Sequence, residues 1–276
     1  MKIAKALDIE TIQPHNMKLA AVWNSAGILY DEISRGIADS IEHCVDRLAP
    51  ERGDRVLDLA CGTGWASRSV AARGARVTGV DLGADLIEAA RKIAASARLD
   101  IDYRVGDAEK LPFEDESFDK VISTCGIMFA SKQEAAATEL ARVCKKGGKI
   151  GLTTWKPDST LAQMFQVMKK YMPAPPSPPA HTPFEWGSRD RVKELLGPFF
   201  TLGFEEGVSP FRAASAEEAW EIWVNHYGPT KTLAAGLDPD RLENFKRDMI
   251  AFHERFKTEL GVSNPREYLL IIGVRK

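Results

Sequence analysis

The alternation that begins at Arg55 restricts this chain to few folds. "RVLDLA" is a short apolar run rich in strand formers, and "GWASRSVAARG" after it has the pattern of a helix closed by Gly74. "ARVTGVD" predicts a second strand and "ADLIEAARKIAASARL" a second helix, with Leu86, Ala90, Ile93 and Ala97 on one face. "IDYRVGDA" and "FDKVISTCG" predict the third and fourth strands. "KQEAAATELARVC" predicts a helix, and "GGKIGLTTW" a fifth strand after a Gly-Gly turn. Strands alternating with helices require right-handed crossovers and a mostly parallel sheet.

Helical spacing precedes this region. Tyr30, Ile33, Ile37, Ile41, Val45 and Leu48 recur at three- and four-residue steps, predicting a helix over 16–49 that Pro50 and Gly53 end. Beyond Trp155 the regular alternation stops. "MPAPPSPPAHTP" holds six prolines between Met172 and Pro183, the composition of a stiff surface linker. "SRDRVKELLG" predicts a short helix with Ser188 as N-cap, and "FFTLGFEEGVS" a sixth strand. Two helices are expected next. The first carries Trp220, Trp223 and Tyr227 on one face. The second has Asp238 as N-cap, Pro239 at its first position, a stripe from Leu242 to Leu260, and Gly261 as its end. "EYLLIIGVRK" predicts the last strand. The implied organisation is an N-terminal helical lid (1–49), a Rossmann-like domain (50–212, with its proline-rich linker at 172–183), a helical cap insertion (213–262) and a returning strand (263–276).

The bulk numbers exclude several functions. A net charge of −2 gives no general electrostatic grip on nucleic acid. No apolar run reaches the roughly 18 residues that a membrane span needs. The first residues show no apolar core of signal-peptide length, and the expectation is a cytoplasmic protein, monomeric or homodimeric. The four cysteines and five histidines are scattered without metal-ligand spacing, so reduced thiols and no metal site are expected.

The turn Gly62-Thr63-Gly64 suggests a dinucleotide loop, but the third glycine of that motif is absent and Trp65 occupies the helix start. Asp58 lies just upstream, where it would repel a pyrophosphate. A ligand with positive charge is required there. S-adenosylmethionine (SAM) carries an ammonium and a sulfonium and has no phosphate. Glycines let the backbone approach it closely. Asp81, at the end of the second strand, can accept from both ribose hydroxyls. Asp107, at the end of the third, can accept from the adenine amino group while the Ala108 N–H meets a ring nitrogen. Asp58 and Asp107 also have a plainer reading, as residues that cap a turn or begin a loop. Trp65 is either a core aromatic or a cofactor contact.

The motifs "VLDLACGTG", "VTGVD", "VGDAEKLPFEDESFDKVIS" and "LARVCKKGGKIGLTTW" resemble, in order and spacing, those of class I Rossmann-like SAM-dependent methyltransferases. They are most similar to the ubiquinone/menaquinone C-methyltransferase-like small-molecule group. The resemblance covers roughly residues 30–155. It implies a seven-stranded, mostly parallel sheet with helices on both faces and the last strand antiparallel. It also implies that Asp58, Gly62, Thr63 and Gly64 line the methionine part and ribose, that Asp81 binds the ribose, that Leu82 packs on adenine, that Asp107 and Ala108 bind the adenine edge, and that Thr124 meets the methionine part through its backbone.

Transfer of a sulfonium methyl is an in-line displacement that needs alignment and exclusion of water rather than a metal. Trp23 or Tyr30 can form a lid over the cofactor, or simply pack. Where a base is required, His15, His181, Glu185, His226 and Tyr227 are the candidates, with His226, Tyr227 and His181 foremost. The aromatic cap predicts a hydrophobic or aromatic small-molecule acceptor, with S-adenosylhomocysteine (SAH) as the second product. The rival readings are a methyltransferase acting on RNA or protein, a non-catalytic or regulatory SAM-binding protein, and an NAD-dependent oxidoreductase, the last disfavoured by Asp58 and the missing glycine.

Overall fold

The computed structural model describes residues 12–174 and 181–276. Of the proline-rich stretch, residues 175–180 lie outside the described residues, as do residues 1–11 of the N-terminal segment. The strands are β1 (Arg55–Leu59), β2 (Arg76–Asp81), β3 (Asp102–Val105), β4 (Phe118–Thr124), β5 (Cys144–Trp155), β6 (Phe200–Val208), β7 (Phe211–Ala213), β8 (Lys257–Thr258), β9 (Gly261–Asn264) and β10 (Glu267–Arg275). The helices are α1 (Met17–Asn24), α2 (Tyr30–Arg35), α3 (Ala38–Leu48), α4 (Trp65–Ala72), α5 (Ala84–Ser96), α6 (Gln133–Val143), α7 (Thr160–Lys169), α8 (Arg189–Leu196), α9 (Ala216–His226), α10 (Gly228–Ala235) and α11 (Pro239–Glu254).

Seven strands form one sheet in the order β3-β2-β1-β4-β5-β10-β6. The first five are parallel, and β10 runs antiparallel between β5 and β6. Strand β1 is central and, apart from Arg55, wholly buried. Its continuous apolar run has the composition of a parallel strand covered on both faces. Helix α3 packs on α4, β4, β5 and β10, while α6 packs on α8 and β5. The chain order reverses between β1 and β4, so their carboxyl ends flank the crevice where ligands of open α/β sheets bind.

Three expectations need correction. The single helix expected over 16–49 is three helices. Gly27 adopts φ +53, and Ile37 leaves helical geometry (φ −124) between α2 and α3. The apolar stripe continues across that break, which is why periodicity alone misses it. Between residues 213 and 262 there are three helices rather than two, because Gly228 and Pro229 open a separate α10. Finally, α11 ends at Glu254 rather than at Gly261. Residues 257–264 instead form a hairpin that joins β7 in a small sheet of order β7-β9-β8. Leu260 is therefore at an exposed turn, 96% accessible, and Gly261 supplies a φ of +108 at the start of β9.

The expected start of α11 does form. The Asp238 carboxylate accepts from the Arg241 N–H at 2.9 Å, and Pro239 opens the helix. Asp238→Ala should cost about 1 kcal/mol of unfolding free energy in urea titrations. An unchanged midpoint would show that this cap contributes nothing.

Candidate functional site

The glycine turn is built by backbone constraint. After β1, Ala60, Gly62 and Gly64 all have positive φ (56, 55 and 79). The chain folds back so that the Gly64 N–H donates to the Cys61 carbonyl at 2.8 Å. A Cβ at Gly64 would lie 2.1 Å from the Tyr103 hydroxyl, so only glycine fits under that ring. Trp65 then starts α4; it stands half-buried on the wall of the main cavity, with the Arg68 guanidinium 5.3 Å from its ring. Both readings of Trp65 thus meet in one position, since it packs against the core and also faces the cavity.

The three acids differ in what they hold. Asp58 is buried in β1. One of its carboxylate oxygens accepts from the Ser67 hydroxyl at 2.5 Å, while Oδ1 has no partner among the described residues. Burial pushes its carboxyl up to about 6, against the opposing bonds from Ser67 and with a further push from Asp81. Asp81 ends β2 and accepts from the N–H groups of Gly62 and Gly83, both at 2.8 Å. Burial raises its carboxyl too. Asp107 follows β3. It accepts from the Glu109 N–H at 2.9 Å, from the Gln13 N–H at 3.0 Å and from the Asn16 amide at 2.9 Å. The N-terminal segment is thus tied to the third acid.

A cavity opens at these strand ends, where ligands of open α/β sheets bind. Of the residues singled out from sequence, Trp23, Gly62, Asp81, Leu82, Asp107, Ala108 and Thr124 line it. Asp58, Thr63 and Gly64 do not. Asp58 lies behind the turn, Gly64 lies under Tyr103, and the Thr63 hydroxyl donates to Asp31 of α2 at 2.8 Å. The sequence reading missed Asn16, Leu19, Ile37 and Ile41, which also form the wall. For the N-terminal residues the only signal was the apolar stripe, which marks a buried face without saying that a cavity lies there.

The base candidates are dispersed. His15 contacts Glu109 at 2.6 Å, and His181 contacts Glu185 at 2.6 Å. His226 lines a second cavity instead. Tyr227 is buried behind Tyr30, their rings stacked at 6.5 Å, with Trp23 edge-on at 5.5 Å. No histidine stands on the main cavity wall among the described residues. Burial pushes the Cys125 thiol up to about 12 and raises the Tyr30 phenol, so neither is ionised at neutral pH.

The sheet order with its antiparallel β10, the glycine turn and the acids at three strands define the class I, Rossmann-like methyltransferase architecture. A methyltransferase-domain family model matches residues 57–152. The chain is 38% identical over 188 residues to an uncharacterized protein of Mycobacterium tuberculosis, a match covering 64% of this chain and about 65% of that relative's length. It is 31% identical over 182 residues to the malonyl-[acyl-carrier protein] O-methyltransferase of Erwinia billingiae, covering 64% of this chain and 69% of that one. In fold it resembles the YcgJ protein of Bacillus subtilis (TM-score 0.63, 19% identity, 86% of this chain and 98% of that one). It also resembles phosphoethanolamine N-methyltransferase 2 of Haemonchus contortus, whose structure contains S-adenosyl-L-methionine (TM-score 0.53, 20% identity, 86% and 52%). The chain belongs to the class I SAM-dependent methyltransferase family, and SAM is the cofactor of that family.

Two outcomes follow from the turn. Gly64→Ala forces an L-residue into φ +79 against Tyr103 and should cost about 1–3 kcal/mol while abolishing SAH binding in calorimetry. Asp58 gives a pH signature. Its folded carboxyl titrates near 6 and its unfolded one at 3.8, so the native state holds the proton more tightly and stability falls as pH rises from about 4 to 6. Asp58→Asn should flatten that slope and add on the order of 2 kcal/mol at pH 7 to the ligand-free protein. Urea titrations across pH 4 to 8 read this, and a wild-type curve that rises through the window would contradict it.

Proposed function

We propose that this protein transfers a methyl group from SAM to a small organic acceptor with an apolar or aromatic body. The observation that carries the reading is the cavity at the carboxyl ends of β1, β2 and β4, with Asp81 and Asp107 on its wall and the unpartnered Asp58 oxygen behind it. That set suits the cofactor. A buried acceptor without a donor favours a cationic ligand, and two further carboxylates suit a diol and an exocyclic amine. Asp81 and Leu82 would hold the ribose and adenine, and Asp107 with Ala108 the adenine edge. Gly62 would allow close approach, and the Thr124 backbone would meet the methionine part. Asp58 would act through its charge across the turn rather than by touching the ligand. When bound, SAM supplies a methyl already activated on sulfonium.

The chain's own residues align the acceptor and exclude water. Trp23 and Tyr30 stand on the cavity wall with ring centroids 6.0 Å apart and serve as the lid, within an N-terminal segment over 1–49. Residues 213–262 serve as the cap. The neutral thiol and phenol and the absence of a histidine on the described wall favour an acceptor that arrives with its lone pair free, needing no base.

Charge favours a small molecule over RNA. The basic group Lys145, Lys146 and Lys149 lies at the start of β5, where Lys145 contacts Asp119 at 2.5 Å. No lysine or arginine lines the main cavity among the described residues. The similarity to the Erwinia enzyme favours one second reading, an acceptor carried on an acyl carrier protein. A cytoplasmic monomer or homodimer completes the proposal; no helix among the described residues is long and apolar enough to cross a membrane.

Calorimetry should show SAM and SAH binding, weakened roughly tenfold or more by Asp81→Ala, as expected for loss of charged hydrogen bonds. Binding of NAD in their place would overturn the reading. Labelled SAM screened against phenols, quinols, amines and fatty acids should label an acceptor. Tight SAM binding with no acceptor labelled would favour a regulatory SAM-binding protein.

A further inference from the structure

Asn16 occupies the N-cap position of α1, yet its side chain makes no bond to that helix. Asparagine is among the best N-cap residues, because its side-chain oxygen can accept from an N–H of the first helical turn. Here the residue is 1% exposed and its amide is committed elsewhere. The nitrogen donates to Asp107 Oδ2 at 2.9 Å, and the oxygen accepts from the Ser131 hydroxyl at 2.6 Å. An ionised carboxylate only accepts, so Asp107 fixes which end of the amide faces it. An asparagine kept for α1 alone would cap it. This one joins the loop after β3 to the segment between β4 and α6. Local preferences are overridden most often at functional or strained sites.

What Asn16 controls is the bonding of Asp107. An ionised carboxylate has about four acceptor sites. On Asp107 Oδ2, both are taken, by the Gln13 N–H at 3.0 Å and by the Asn16 amide. On Oδ1, the Glu109 N–H takes one at 2.9 Å. The other site of Oδ1 is open among the described residues. Asp107 and Asn16 both line the main cavity, as do Leu82, Gly106 and Ala108. Neighbouring bonds hold the same corner. His15 meets one oxygen of Glu109 at 2.6 Å, and the Lys132 N–H donates to the other at 2.8 Å. Residues 13–16 precede the stretch that the methyltransferase-domain model matches, so this clasp lies outside it.

We propose that Asn16 is a positioning residue for the cofactor: by holding Oδ2 of Asp107 it presents the open site of Oδ1 to the exocyclic amine of adenine, and so makes the site selective for a purine that carries a 6-amino group. This rests on the methyltransferase reading, in which Asp107 accepts from that amine. A purine without the amine would leave a buried carboxylate oxygen short of one donor, which is costly. The terminal torsion of an aspartate is broad, so its oxygens are aimed by their partners rather than by the side chain itself. Without Asn16, only the Gln13 N–H would hold Oδ2, and Oδ1 would lose its aim. An Asn16 that merely stapled the N-terminal segment in place would change the affinity for both purines alike. A positioning role changes their ratio.

That ratio is the test. SAH and its 6-deamino analogue, in which hydrogen replaces the adenine amine, are titrated calorimetrically into the full chain. The wild-type protein should bind SAH roughly tenfold more tightly than the analogue, the size of one hydrogen bond to a charged group. Asn16→Ala should bring the ratio to about threefold or less, chiefly by weakening SAH. Ser131 is exposed, and Ser131→Ala, which frees the amide oxygen of Asn16, should lower the ratio part of the way. A wild-type ratio near one overturns the proposal and leaves the methyltransferase reading standing. A ratio that Asn16→Ala leaves at its wild-type value overturns it too, whatever happens to the two affinities. Should Asn16→Ala fail to fold, Ser131→Ala decides by the same criterion. Failure of the wild-type chain to bind SAH would instead sink the methyltransferase reading, and this inference with it.

Discussion

The bond between the Ser67 hydroxyl and the buried Asp58 carboxylate is the joint on which the site depends. It links the end of β1 to the first turn of α4, and everything between them is a turn with three positive φ angles. Such a turn is strained where the residue is not glycine, as at Ala60, and persists only if both ends are fixed. The second fixed point is Asp81, which reaches from β2 to the Gly62 N–H and fixes the turn from the other side. The two carboxylates therefore shape the turn before any ligand arrives. An ionised Asp58 weakens the ligand-free fold, and a cation at the strand ends removes that penalty. Stability given up without ligand is recovered as binding free energy.

The other wall comes from the N-terminal segment, and it is fastened at separate places. Gln13 and Asn16 donate to Asp107, His15 meets Glu109, and Asn24 donates to Asp85 at 2.8 Å. Asn16 also accepts from the Ser131 hydroxyl at 2.6 Å. Apolar packing joins them: the Trp23 ring lies 4.8 Å from Phe129 and 5.5 Å from Tyr227, and Ile33, Ile37 and Ile41 enter the core.

Much of this was legible in the sequence, for a physical reason. Parallel strands buried on both faces must be continuous apolar runs, so β1, β2 and β4 stand out, and a ligand-facing acid at a strand end interrupts the pattern visibly. The cap at Asp238 was readable because capping is local. What was hidden was non-local. The break at Gly36 and Ile37 leaves the apolar stripe intact, since both α2 and α3 face the same core. The hairpin at 257–264 arises because β9 finds β7 some fifty positions earlier, a pairing that no window of local periodicity contains. Thr63 and Gly64 were placed on the ligand side by motif, whereas the fold turns one toward Asp31 and covers the other with Tyr103.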